Sequence, residues 1–188
     1  TGIRGLHHLL WELVDNGIDE AANGYATTIQ VILRRDNSVT VIDDGRGIPV
    51  GIHDKMKVPG VQVVFTQLHA GGKFNTANYA YSGGLHGVGA SVVNALSRWL
   101  EVEVHVNGKK YWQRYESIET DGKIQAGKPV TQLEDHGFTE LHGTKITFLP
   151  DDRIFEDIQM KSDIITKRLK ELAFLNKGIK IRFVDERN

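Results

Sequence analysis

Cysteine is absent from these 188 residues, which excludes disulfides, thiolate nucleophiles and zinc-thiolate sites. A cytosolic address is compatible with that composition. Long apolar runs are missing too, since none approaches the roughly 18 residues a membrane span requires. No strong charge of either sign is present: the formal net charge is −1, so no global field advertises a nucleic acid or an acidic membrane surface. The opening "TGIRGLHHLLWELV" lacks the basic-then-apolar layout of a signal peptide. It also lacks an initiator Met, which suggests a fragment cut from a longer protein.

What is present is an ordinary globular mixture, 40% hydrophobic and 25% charged, in a length that suits one well-buried domain. Within it, one local absence stands out. From Leu6 through Leu33 there is no Lys or Arg, yet "ELVDNGIDEA" places Glu12, Asp15, Asn16, Asp19 and Glu20 there. Small or apolar residues Leu6, Leu9, Leu10, Leu13, Gly17 and Ala21 recur at steps of mostly three and four, which predicts a helix. Glu12, Asn16 and Asp19 or Glu20 share a different face of it.

After Asn23-Gly24, "TTIQVILRRDNSVTVIDDG" reads as two strands joined at Asp36-Asn37-Ser38. "VPGVQVVFTQLHAGGKF" predicts a short helix ending at Ala70-Gly71-Gly72, and "NTANYAYSGG" has loop composition. "LHGVGASVVNALSRWL" reads as a helix rich in small residues. "EVEVHV" and "KKYWQRYES" form a hairpin around Asn107-Gly108. Residues 118–143 are weakly patterned; "GTKITFLPD" is a strand, "SDIITKRLKELAFLN" a helix and "GIKIRFVDE" a last strand. The fold class expected is α+β: a two-layer sandwich, a mixed sheet with helices on one face.

Three segments carry chemistry in combination. A charged helix stripe is usually a solvated face. Glu12 and Asn16 at a spacing of four are nonetheless suited to a hydrated hard cation such as Mg²⁺, and to taking a proton from an attacking water. "VIDDGRGIP" sets Asp43-Asp44 at a strand end; a polar turn explains Asp44-Gly45. It leaves Gly47, which lets a planar ligand approach the backbone, and Arg46, a cation able to pair with Glu20 or Asp19. "HAGGKF…YSGGLHGVGASVV" sends a glycine cluster into a helix, an arrangement that binds phosphate, with Lys73 as a mobile positive charge. Floppy hinges are the bland account of the same glycines. Neither G-x-x-x-x-G-K-S/T nor G-x-G-x-x-G is present. The eight histidines are scattered and read mostly as surface or packing residues, His86 excepted. Trp99, Trp112 and Phe148 read as core or sheet surface.

"ELVDNGIDEA", "DDGRGIP", "LHAGGKF" and "SGGLHGVGASVVNALS", in this order, resemble the ATP-binding domain of the B subunits of bacterial type IIA topoisomerases, gyrase or topoisomerase IV. The likeness covers nearly the whole chain and implies the Bergerat ATP-binding fold. It implies Glu12 as general base, Asn16 as the Mg²⁺ ligand, and Asp43 as acceptor of the adenine amino group. Gly47, Ile48 and Pro49 would line the base, with Thr144 supporting the same contact. Lys73 and the backbone of Gly84, Leu85, His86, Gly87, Val88 and Gly89 would enclose the phosphates, with Tyr79 reaching ribose or phosphates. Arg46 and Glu20 would pair across the mouth. Trp112 stands where some members carry an arginine used by aminocoumarin inhibitors.

The resemblance further implies ATP and Mg²⁺ as ligands. Its implied partners are a second B subunit, a DNA-cleaving A subunit, and DNA through the full assembly only; aminocoumarin-type inhibitors are candidates for the adenine pocket. Residues 1–188 would be a single ATPase domain lacking the dimerisation arm and the following transducer domain. A non-hydrolysing nucleotide sensor of the same fold is the alternative, and Glu12 argues against it.

Overall fold

The computed structural model describes residues 2–67 and 87–187. The first element is the predicted acidic helix, α1 (Ile3–Ala22), whose buried stripe of Leu6, Leu9, Leu10 and Leu13 faces the core. Each such leucine contributes on the order of 1.5–3 kcal/mol by leaving water. Strands β1 (Thr28–Leu33) and β2 (Val39–Asp43) follow as an antiparallel hairpin, with Asn37 at φ 73° in the turn. Next come α2 (Gly60–Thr66) and α3 (Gly87–Ala95). β3 (Ser97–Val106) and β4 (Lys109–Thr120) turn through Asn107 and Gly108, both in the left-handed region at φ 55° and 80°. That is the turn Asn-Gly makes most readily.

β5 (Lys123–Pro129), β6 (Glu134–Phe138), β7 (Gly143–Pro150), α4 (Ser162–Leu175) and β8 (Lys180–Asp185) complete the described elements. The sheet runs β5-β4-β3-β7-β2-β1-β8, with β6 paired to the outer edge of β4. Among the described strands only β8 runs parallel to its neighbour, β1, so the sheet is mixed as expected. One face, bearing Ile29, Val31, Val41, Leu100, Val102, Ile146 and Phe148, is buried in a single core with the apolar sides of the helices. Phe148 belongs to that core, whereas Trp99 and Trp112 are half-buried on the other face, where Arg114 covers Trp99 and His136 stacks on Trp112.

One reading of the sequence is corrected. The helix expected through Leu100 stops at Ala95, and Ser97–Leu100 opens β3. The Ser97 hydroxyl donates back to the Val93 carbonyl at 2.7 Å and closes the helix; thereafter Leu100, Val102 and Val104 alternate inward with period two. The weakly patterned stretch 118–143 holds two strands, β5 and β6. They are exposed on both faces except at Gly127, so no amphipathic signature betrays them; pairing to β4 holds them. The C-terminal part of the helix expected to end at Ala70-Gly71-Gly72 lies outside the described residues.

Buried polar groups lock the helices to this frame. Asn94 of α3 donates to the carbonyls of Phe65 at 2.9 Å and Gly127 at 3.1 Å, tying α3 to α2 and β5. His7 bonds Ile3 O through Nδ1 at 2.8 Å and accepts the Lys161 N–H on Nε2 at 2.9 Å. That fixes the α4 N-terminus against α1.

Candidate active site

The sheet register decides which of two adjacent aspartates faces the helices. Asp43 pairs with Thr144, and Thr144 with Val104, so all three project from the buried face toward α1. Asp43 is 8% exposed, and burial pushes its carboxyl up to about 6, helped by the negative charges of Glu20 and Asp44 and opposed by the Gly45 and Thr144 backbone N–H groups. Gly45 N–H donates to its Oδ1 at 2.8 Å. Asp44 points the other way. It accepts Thr27 N–H at 2.7 Å, Thr27 Oγ1–H at 2.6 Å and Thr28 N–H at 2.9 Å. Partial burial works to raise Asp44, but these hydrogen bonds outweigh it and hold the carboxyl below the usual range. Asp44 is therefore a turn anchor, and Asp43 the carboxylate on the buried, helix-facing side of the sheet.

α1 forms the facing wall. Gly17 allows close approach, because a β-carbon there would lie 3.1 Å from Ile29 Cδ1 and 3.6 Å from Asp43 Cβ. The polar residues of this wall are Asn16, immediately before Gly17, and Glu20, one turn after it. Glu20 is 1% exposed and engages Arg46 three times: Oε1 to Nη2 at 2.6 Å, and Oε2 to Nε at 3.3 Å and to the backbone N–H at 3.0 Å. The Arg46 guanidinium also lies 3.8 Å over the Tyr25 ring. The ion pair expected between Arg46 and Glu20 is formed.

Asn16 is 3% exposed, and its Oδ1 has no hydrogen-bond partner among the described residues. An orphaned buried carbonyl oxygen costs roughly 1–3 kcal/mol, so it is a group suited to receiving a ligand. A hard cation with waters suits it. Among the described residues no group of three or more His, Asp or Glu clusters closely enough to hold a metal ion. A single amide oxygen fits Mg²⁺, which keeps several of its waters when bound.

Glu12 lies one turn before Asn16, with its carboxylate 2.9 Å from His8 Nε2. The start of α3 presses on the same carboxylate: a β-carbon on Gly89 would overlap Glu12 Oε2. The glycine-rich segment thus enters its helix at the acidic wall, with Gly87 and Val88 in the first turn. Lys73, Tyr79, Gly84, Leu85 and His86 lie outside the described residues.

The turn after Asp43 closes the floor. Gly47 adopts φ +86°, and a β-carbon there would come 3.0 Å from Val104 Cγ1 and 3.3 Å from the His105 carbonyl. Ile48, 1% exposed, donates its N–H to Thr144 Oγ1 at 3.2 Å. Half-buried Pro49 lines, with Gly51, Ile52, His53 and Lys55, a cavity of about 340 Å³.

Two further residues join this site that sequence reasoning passes over. His8, read as a surface histidine, stands four before Glu12, and that spacing is the available signal. His142 bonds the Gly45 carbonyl from 97 positions away, and nothing local in the sequence announces that.

Comparison with known proteins is consistent with this geometry. A family model described as histidine kinase-, DNA gyrase B-, and HSP90-like ATPase matches residues 1–154. The DNA gyrase B protein of Clostridium acetobutylicum is 56% identical over 188 residues, covering 100% of this chain and 28% of that protein. The DNA topoisomerase 4 B protein of Enterococcus faecalis is 53% identical over 188 residues, 100% of this chain and 26% of that protein. Among solved structures, the 43K ATPase domain of Thermus thermophilus gyrase B in complex with an aminocoumarin superposes with a TM-score of 0.84 at 39% identity. That match covers 100% of this chain and 45% of the other. The chain therefore spans 28% and 26% of the two relatives' length.

Proposed function

Because the chain belongs to the family of histidine kinase-, DNA gyrase B-, and HSP90-like ATPases, we propose that it is the Mg-ATP-binding and ATP-hydrolysing domain of the B subunit of a gyrase or topoisomerase IV. The observation that carries this reading is the buried Asp43 carboxylate on the sheet floor, raised to about 6 and set beside the tight glycine turn. A buried acceptor of that kind selects an N–H donor such as the adenine amino group. A carbonyl in its place would leave it unpaired at a cost of roughly 1–3 kcal/mol, about tenfold or more in affinity.

In this reading adenine lies over Gly47, Ile48 and Pro49, with the Thr144 hydroxyl supporting the Asp43 contact. The Glu20–Arg46 pair closes the pocket mouth. The phosphates run along α1 toward the N-terminus of α3 at Gly87–Gly89; Lys73, Tyr79 and residues 84–86, outside the described residues, are assigned to the phosphates on the family resemblance alone. Asn16 Oδ1, without a hydrogen-bond partner among the described residues, would hold Mg²⁺, which would neutralise phosphate charge when bound. Glu12 takes a proton from water as that water attacks the γ-phosphorus; the bond to the β-phosphate oxygen breaks and ADP leaves with its electron pair. His8 holds the Glu12 carboxylate in place. In the larger parent protein this hydrolysis drives dimer closure against a second B subunit and passage of DNA through the assembly formed with a DNA-cleaving A subunit, in the cytoplasm. The adenine pocket is also the target for aminocoumarin-type inhibitors.

The test is calorimetric titration of this chain with a non-hydrolysable ATP analogue and its GTP counterpart, with and without Mg²⁺. One-to-one, adenine-selective binding is expected. Equal binding of the two, or none of either in a folded chain, overturns the reading.

A further inference from the structure

The turn that carries the pocket carboxylate is not self-supporting. Residues 43–48 are gripped from one side at three successive positions, His142 just before β7 and Gly143 and Thr144 at its start. The His142 ring meets the Gly45 carbonyl at 2.8 Å. Gly143, at φ +130°, packs so closely that a β-carbon would overlap the Asp43 carbonyl and lie 2.8 Å from Asp44 Cα. Thr144 accepts the Ile48 N–H at 3.2 Å. Gly143 acts through backbone shape, and Thr144 through its hydroxyl and its strand pairing. His142 lies just before the strand and reaches the turn by its side chain alone.

A carbonyl oxygen can only accept, so His142 Nδ1 must carry the hydrogen. The loop that presents the ring is itself held by a second histidine. His105 places Nε2 2.8 Å from the Glu103 carboxylate and Nδ1 2.8 Å from the Thr139 hydroxyl. With Nε2–H given to Glu103, Nδ1 accepts from the Thr139 hydroxyl. That hydroxyl oxygen accepts the Leu141 N–H at 3.1 Å in turn. Thr139 N–H also donates to Gly108 O at 3.0 Å, fastening the loop to the β3–β4 turn. The chain Glu103–His105–Thr139 thereby fixes the loop from which His142 holds Gly45, two residues from Asp43.

We propose that His142 is a positioning residue of the adenine pocket, setting the angle of the Asp43 carboxylate through the Gly45 carbonyl, with His105 and Thr139 as its support. The inference rests on the adenine reading given above. It predicts a loss of base selectivity rather than a general loss of binding, because His142 grips the turn beneath the base and not the acidic wall of α1.

The experiment is calorimetry of the wild-type chain and of His142→Phe and His142→Asn with the same ATP and GTP analogues, alongside thermal melts without ligand. His142→Phe keeps the ring shape and removes the donor; Asn places an amide N–H near the position of Nδ1. The expected result is a fivefold to tenfold loss of ATP-analogue affinity in His142→Phe, GTP-analogue affinity unchanged, and selectivity restored in His142→Asn. Wild-type selectivity in a folded His142→Phe chain overturns the proposal and leaves the adenine reading intact. An equal loss for both nucleotides assigns His142 to general stability and overturns it as well. Should His142→Phe fail to fold, His105→Leu takes its place with the same expectation, the loop support being one step further from the turn. No adenine selectivity in the wild-type chain overturns the functional reading itself.

Discussion

Gly89 and Glu12 stand so close that no side chain at position 89 can coexist with the observed Glu12 rotamer. The glycine at the start of α3 is thus part of what aims the acid of α1. Gly89→Ala should displace the carboxylate by about an ångström, and a misplacement of that size costs on the order of 10²-fold in rate. Melting temperature should change little, because the Glu12 side chain is 24% exposed and has room to swing. Steady-state ATPase assays of the full-length protein check this; turnover within twofold of wild type would remove Glu12 from the role of base.

His8 holds the other side of the same carboxylate at 2.9 Å. His8 is 65% exposed, so the pair adds little to folding, well under about 1 kcal/mol. Its effect should fall on turnover: His8→Ala lowers kcat severalfold with KM for ATP nearly unchanged. A raised KM at constant kcat would mean that His8 contacts substrate and does not orient Glu12.

Asp43 is expected to trade stability for binding. Its carboxyl is raised from 3.8 to about 6 in the folded chain, so folding favours the protonated form. The ionised group therefore opposes folding, by up to about 3 kcal/mol, fully above pH 6 and not at all below about pH 4. Asp43→Asn should raise the melting temperature at pH 7.5, with the gain shrinking to nothing by pH 4. The same variant should lose ATP-analogue binding. In the wild type, protonation weakens the acceptor and sets a donor hydrogen against the adenine amino group, so affinity should fall by up to about tenfold between pH 7 and pH 5. Melting curves and titrations across that range measure both; pH-independent affinity would deny Asp43 the contact.

How much of the molecule is legible in its sequence follows the strength of local signals. The Asn107-Gly108 hairpin and the leucine stripe of α1 are local, and both are found where expected. The choice between Asp43 and Asp44 is not local. It depends on the pairing of Asp43 with Thr144 and on Thr27 and Thr28 capturing Asp44. β5 and β6 bury almost nothing, so no hydrophobic period marks them. The end of α3 is obscured because Ala95, Leu96 and Leu100 continue an apolar helical rhythm across a chain reversal. The Glu20–Arg46 pair follows from the lack of basic residues near the acidic helix; the hold of His142 on Gly45 joins segments with no shared pattern.

Asn16 offers a sharper test of the magnesium assignment than turnover does. Its Oδ1 is buried and unpaired among the described residues, so truncation forfeits no hydrogen bond made by that atom. Asn16→Ala should therefore cost about 1 kcal/mol or less in stability from loss of that group, unlike truncation of a buried hydrogen-bonded amide. The difference should appear on adding the cation. In the wild type, Mg²⁺ tightens binding of the ATP analogue; in Asn16→Ala the two affinities converge, while the Mg²⁺-free value stays within about threefold of wild type. Titrations with and without Mg²⁺ give all four numbers. If Mg²⁺ tightens binding to the variant as much as to the wild type, the ion is held by the phosphates and water alone, and the orphaned oxygen of Asn16 serves some other donor.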